Sequence, residues 1–248
     1  MIITPIQAKY FAYELTKRSR SDSVEKLATS LLDAKVNITP HQVEAALFAF
    51  RSPLSNGAIL ADEVGLGKTI EAGIVISQKW AERKRKILII VPANLRKQWS
   101  TELAEKFYLN SIILEAKTFR IENEKNRKLN PFDQDDQIVI CSYHFAAKRS
   151  TEIYHVNWDL VVIDEAHRLR NVYKKNNNTS NRIKNSLLGR NKILLTATPL
   201  QNTLLELYGL VSIIDDYAFG DLASFKAQYA KTTDASFSEL KSRLRPMC

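Results

Sequence analysis

The chain holds two cysteines, Cys141 and Cys248, among 248 residues. One lies in an apolar run and the other is the last residue, so they build neither a disulfide framework nor a metal-ligand spacing. That usage fits a reducing cytoplasm. No apolar run approaches bilayer-spanning length, and Lys9 and Glu14 interrupt the first stretch, so neither a membrane span nor a signal peptide is expected. Glycine is scarce as well: of seven, four (Gly57, Gly65, Gly67 and Gly73) fall in one short stretch. Acidic residues number 27 against 36 basic ones, a formal charge of +9. Such an excess favours polyanions, either nucleic acid or anionic lipid, although many soluble proteins are mildly basic. What is present is ordinary. Hydrophobic residues make up 45%, enough for one large α/β domain, alone or with a small helical extension.

Residues 1–50 read as helical. Val24, Leu27, Leu31 and Leu32 sit near helical spacing, and Thr39-Pro40 opens a helix running to about Phe50. Beyond it, short apolar runs alternate with amphipathic stretches. The runs are Ala58–Ala61, Ile87–Val91, Ile112–Leu114, Ile138–Cys141, Leu160–Ile163 and Ile193–Leu195. They are apolar on both faces and rich in β-branched residues, as buried parallel strands are. Helices are predicted near 69–84, 94–107, 143–149 and 181–188. Alternation of this kind predicts βαβ units and a parallel sheet. The tail, about 204–244, reads as helical, and the polar stretches 117–136 and Tyr173–Asn181 read as surface loops.

The stretch Ala61-Asp62-Glu63-Val64-Gly65-Leu66-Gly67-Lys68-Thr69 follows the first strand and opens a helix. Gly67, Lys68 and Thr69 match the end of the phosphate-loop pattern G-x-x-x-x-G-K-S/T, whereas Asp62 replaces its first glycine. The chemistry survives that departure. Gly65 and Gly67 let backbone amides converge on phosphate oxygens, and the helix start adds a favourable partial charge. Lys68 suits the β- and γ-phosphates of ATP, and the Thr69 hydroxyl suits Mg2+. A plain glycine turn before a helix is the bland alternative, and the clustering of a rare residue weighs against it.

A second constellation lies downstream. The strand Leu160–Ile163 runs into Asp164-Glu165-Ala166-His167. Asp164 suits a Mg2+ ligand, and Glu165 suits a base that orients or deprotonates the attacking water. His167 suits a sensor of the γ-phosphate. Alone, two carboxylates at a strand end mean little. Placed 96 residues after Lys68 (164 minus 68), they are expected on a strand end neighbouring the phosphate loop's, at the switch point of one sheet.

Residues 62–72 as a whole resemble the first motif of ATPases of the SWI/SNF (sucrose non-fermenting) type, within helicase superfamily two. That family tolerates the missing glycine. Val64 and Gly73 are similar to its bacterial RNA-polymerase-recycling branch. Further matches follow in the family's order. Pro40-His41-Gln42 resembles the segment whose glutamine recognises adenine. Val91–Trp99 resembles the next motif, on the DNA side, and Cys141-Ser142-Tyr143 the one after. Asp164–Asn171 resembles the acidic motif with its extension, and Leu195–Asn202 the motif coupling hydrolysis to DNA movement.

The resemblance covers roughly 38–248 and implies a RecA-like parallel sheet with helices on both faces, binding ATP and Mg2+, preceded by a helical extension over 1–37. It implies a nucleotide site formed by Gln42, Asp62, Gly65, Leu66, Gly67, Lys68, Thr69 and Ile70. It also implies backbone contacts to double-stranded DNA by Arg96, Ser142, Tyr143 and Asn171, with coupling by Thr196, Thr198 and Gln201. The motor of such enzymes needs a second lobe, which supplies an arginine finger. None of that lobe's motifs occurs here, and Leu244–Cys248 resembles the segment preceding it, so a truncated chain is expected. The activity implied is ATP-driven translocation on duplex DNA that remodels or strips a bound protein such as a polymerase. Rival readings are a strand-separating helicase, a regulatory ATP-binding module and a small-molecule kinase. The basic run Lys79, Arg83, Lys84, Arg85 and Lys86 reads as a solvated helix end. Trp80, Trp99 and Trp158 read as core.

Overall fold

Six apolar runs become the six strands of one sheet, within a residue or so of their expected bounds: β1 Gly57–Leu60, β2 Ile87–Val91, β3 Ser111–Leu114, β4 Ile138–Ser142, β5 Leu160–Ile163 and β6 Lys192–Leu195. The computed structural model describes residues 38–52, 54, 56–61, 67–125, 130–174, 177–197 and 204–229, together with positions 4, 6, 9, 27, 34 and 35. The helical extension expected over 1–37 lies almost wholly outside the described residues, as do Asp62, Gly65, Leu66, Thr198, Gln201 and the tail beyond 229.

Every strand pair is parallel, and the order across the sheet is β1-β6-β5-β2-β4-β3. The strand carrying the phosphate loop is therefore not next to the one carrying the acidic pair, as the sequence suggested. β6 runs between them, and the backbone N–H of Thr196 at its end donates to the carbonyl of Leu60 at 3.1 Å. Successive strand residues enter opposite cores. Ile87, Ile89 and Val91 join one, and Leu88 and Ile90 the other, so a strand lacking polar alternation is buried on both faces.

Three helices cover the first face: α1 Pro40–Arg51, α2 Lys68–Ala81 and α3 Arg96–Phe107. The second is covered by α4 Ala116–Lys125, α5 Tyr143–Lys148, α6 Ser150–Tyr154, α7 Asn178–Ser186, α8 Leu204–Ile214 and α9 Leu222–Tyr229. α4 corrects the expectation of a loop over 117–136, and α7 begins inside the stretch Tyr173–Asn181 that was read as one.

α8 is seated on the segment that follows the acidic pair. Arg170 Nε meets the Glu206 carboxylate at 3.4 Å, and one turn further along α8 Gly209 abuts the Arg170 carbonyl. Among the described residues, no helix is long and apolar enough to cross a membrane.

Candidate nucleotide site

The opening turn of α2 and the end of β5 face one cavity of about 350 Å³, lined by Gly67, Lys68, Thr69 and Ile70 on one side and by Asp164 and Glu165 on another. α3 closes it with Leu95, Gln98 and Trp99. Gly67 is the N-cap of α2 at φ 93°, a left-handed conformation that favours glycine. A Cβ there would lie 2.5 Å from Gln42 Nε2, so glycine also lets Gln42 close on the loop's end. Gln42 is itself held. Its side-chain oxygen accepts from Thr39 N at 3.1 Å, half of a capping box at the start of α1. The helix start at Lys68 supplies N–H groups and a partial positive charge toward the cavity, an arrangement that suits an anion.

Asp164 is the best-anchored residue of the site. Its backbone N–H donates to the Ile90 carbonyl at 3.0 Å, continuing the ladder between β5 and β2. Its carbonyl accepts from the Tyr143 hydroxyl. One carboxylate oxygen accepts from the Glu165 N–H at 2.8 Å and the other from Trp99 Nε1 at 2.9 Å. Burial pushes this carboxyl above the usual carboxylate range, while the Trp99 and Glu165 hydrogen bonds and the Lys68 charge oppose that rise. Each oxygen keeps a further acceptor site. With the Thr69 hydroxyl on the same cavity, these hard oxygen donors fit Mg2+, which takes one or two protein oxygens and completes its shell with water and phosphate. Among the described residues, no three or more histidine, cysteine or acidic side chains are placed to share one metal ion, as a caged transition metal would need.

Glu165 adopts a left-handed backbone at φ 53° and caps a 3-10 turn, Ala166–Leu169. A non-glycine residue rarely takes that conformation, and doing so turns the chain sharply out of β5. The turn brings His167 Nδ1 within 3.1 Å of the Glu165 carboxylate, with both side chains about one-third exposed.

The residues named for the DNA side are placed differently from one another. Arg96 opens α3. Its Nε donates to the Ala93 carbonyl at 3.0 Å and its Nη1 to Glu115 at 2.9 Å. The Ser142 hydroxyl accepts from Phe145 N at 3.3 Å and caps α5. Asn171 accepts from the Tyr173 hydroxyl at 3.3 Å. Thr196 is fully buried just after β6, with its N–H on the Leu60 carbonyl at the end of β1. Tyr143 points inward. It is buried, and its hydroxyl donates to the Asp164 carbonyl, so it supports the acidic motif.

Trp158 is core, as expected. Trp80 lies under the Arg85 guanidinium, 4.3 Å from its ring centre. Trp99 is core too, but its N–H on Asp164 is a role that sequence reasoning missed. The only signal was its place eight residues after the end of the apolar run Ile87–Val91, a strand that pairs with the acidic one.

The basic run is not simply solvated. Lys84 pairs with Asp159 at 3.6 Å, and Lys86 with Asp133 and, at 2.8 Å, with Asp135.

The chain is 36% identical over 222 residues to the uncharacterized ATP-dependent helicase YqhH of Bacillus subtilis (strain 168), covering 88% of the chain and 36% of that protein. It is 32% identical over 233 residues to the RNA polymerase-associated protein RapA of Cronobacter sakazakii (strain ATCC BAA-894), covering 88% of the chain and 23% of that protein. The chain thus spans about a quarter to about a third of the length of these relatives. Its fold matches the Sulfolobus solfataricus SWI2/SNF2 ATPase core in complex with dsDNA at a TM-score of 0.69 and 26% identity, over 87% of the chain and 44% of that structure. The same organism's SWI2/SNF2 ATPase core domain shares the fold at a TM-score of 0.69 and 24% identity, over 93% of the chain and 46% of that structure. The SNF2-related domain model matches residues 15–248, and a match of that extent on this fold means that the chain belongs to the SNF2-related domain family.

Proposed function

We propose that residues 38–248 form the first RecA-like lobe of a DNA-dependent ATPase that moves along double-stranded DNA and displaces or remodels bound protein in a bacterial cytoplasm. The observation that carries this reading is the single cavity shared by Gly67–Ile70 and the Asp164–Glu165 pair. There Lys68 would neutralise the β- and γ-phosphates of ATP, and Thr69 and Asp164 would hold Mg2+, which withdraws charge from the phosphates when bound. Gln42, Gly67 and Ile70, with Asp62, Gly65 and Leu66 of the loop, would bind the rest of the nucleotide. Glu165 would accept a proton from the attacking water, with His167 beside it to steady the carboxylate.

Arg96, Ser142 and Asn171 would meet the DNA backbone, and Thr196, Thr198 and Gln201 would couple the two sites. The duplex reading is supported by the solved neighbour that carries dsDNA. A DNA-bound polymerase as the displaced protein is supported by the relative named for its association with RNA polymerase.

The test is ATP hydrolysis by the full-length protein with and without duplex and single-stranded DNA. Glu165→Gln should keep nucleotide binding and lose turnover, while Lys68→Ala should lose binding. Stimulation by duplex without strand separation supports the proposal. Stimulation by single strands with unwinding would replace translocation by helicase activity. Residues 1–248 alone should turn ATP over slowly even with DNA, since an arginine finger from a second lobe is worth ~10³–10⁵ in rate.

A further inference from the structure

We propose that Trp99 is a positioning residue for the metal-binding carboxylate: its buried indole N–H locks the plane of Asp164 and thereby sets how tightly the divalent cation of the nucleotide is held. This rests on the reading above that Asp164 meets Mg2+. Three observations carry it. Trp99 is 1% exposed, so its N–H is cut off from water and depends on a protein acceptor, and Asp164 Oδ2 at 2.9 Å is that acceptor. The indole cannot swing away, because Leu103 and Phe107 on the same face of α3 are buried in the same core. The Asp164 main chain is already fixed at both polar atoms, by Ile90 and Tyr143, which leaves the side-chain torsion as its remaining freedom.

With Oδ1 on the Glu165 N–H and Oδ2 on the indole, that torsion is also determined. Without the indole N–H, the carboxylate would have to be ordered at the moment the cation binds. Loss of such an outer-shell partner weakens metal binding by about 10–100-fold in general.

Mn2+ as the probe tests this directly, by its electron paramagnetic resonance signal when titrated into the 248-residue chain with ATP. ATP binding without divalent cation is followed in parallel by calorimetry. Two variants separate the donor from the volume. Trp99→Phe removes the N–H and part of the ring. Replacement of Trp99 by 3-benzothienyl-alanine removes the N–H alone. Both should weaken Mn2+ binding by about 10-fold or more, a larger loss than either causes in cation-free ATP affinity. Asp164→Ala should abolish the Mn2+ site. Mn2+ binding as tight in the benzothienyl variant as in the wild type overturns the inference. So does an equal loss of cation-free ATP binding, since Trp99 would then hold the cleft and not the carboxylate. If the wild-type chain binds ATP but no Mn2+, or the Asp164→Ala chain binds Mn2+ equally well, the assignment of Asp164 itself falls, a result distinct from either of those.

Discussion

Gly209 sits in the middle of α8, where glycine is ordinarily a poor choice: alanine there would favour the helix by about 1 kcal/mol. The packing reverses that expectation. A Cβ on Gly209 would lie 1.9 Å from the Arg170 carbonyl oxygen and 3.3 Å from the Tyr173 ring. The first neighbour is backbone, fixed by the Arg170–Glu206 ion pair and by the bond from Val172 N to the Leu169 carbonyl, so no rotamer change relieves the clash. Overpacking of this kind costs about 1–3 kcal/mol and sometimes more, and a contact this short belongs at the upper end. After the gain in helix propensity, G209A should be destabilised by about 2 kcal/mol.

Urea unfolding followed by circular dichroism measures that loss, which moves the midpoint down by about 1 M if the slope is about 2 kcal/mol/M. G189A is the control. Gly189 has φ +69° with nothing within 4 Å, so alanine meets backbone strain of about 1 kcal/mol and no clash. If G209A unfolds at the same urea concentration as the wild type, or later than G189A, the close seating of α8 on Arg170 is wrong.

Burial lowers the Lys192 ammonium from 10.5 to about 8, and its Nζ donates to the Arg190 carbonyl at 2.7 Å. Below pH 8 folding must bury the charge. Between the two values the native state releases a proton that the unfolded chain keeps, so stability rises with pH across that window. That depression is worth about 3 kcal/mol and the lost Arg190 bond about 1, so Lys192→Met should gain about 2 kcal/mol at pH 7, a gain that shrinks toward pH 10 in thermal scans. Cys141 is fully buried, with its thiol pushed up to about 12, so its peptide should stay unlabelled by iodoacetamide at pH 8 until denaturant is added, as mass spectrometry will show. Arg96→Ala in the full-length protein should weaken duplex binding uniformly across sequences. It should also reduce the salt-dependence slope by about 1, read from titrations at several KCl concentrations.

The sheet was legible because its strands are buried on both faces. Ile87–Val91 and Leu160–Ile163 contain no polar residue, and their bounds match the sequence reading. α4 was not legible for the opposite reason. Half of its residues are charged, Phe119 is its buried anchor and Ile121 is exposed, so no helical stripe marks it. Strand order was hidden as well, since nothing local to Leu160–Ile163 reveals that β6 separates it from β1. At the site, residue types announced Lys68, Asp164 and Glu165. Trp99 and Tyr143 are different: an indole or a phenol is marked as polar only by the acceptor it meets, and that acceptor is 65 residues away for one and 21 for the other.

The ion pairs at the end of α2 change how the charge of the chain is distributed. Lys79, Arg83, Lys84, Arg85 and Lys86 are five cations. Glu82, Asp133, Asp135 and Asp159, which pair with three of them, are four anions. That rim, where α2 ends and β2 begins, is therefore close to neutral, although the whole chain carries +9. Opposite charges at such separations cancel within a Debye length of about 8 Å at physiological salt. A polyanion diffusing toward the molecule feels little pull from this rim, and the surplus that would steer it resides elsewhere on the surface.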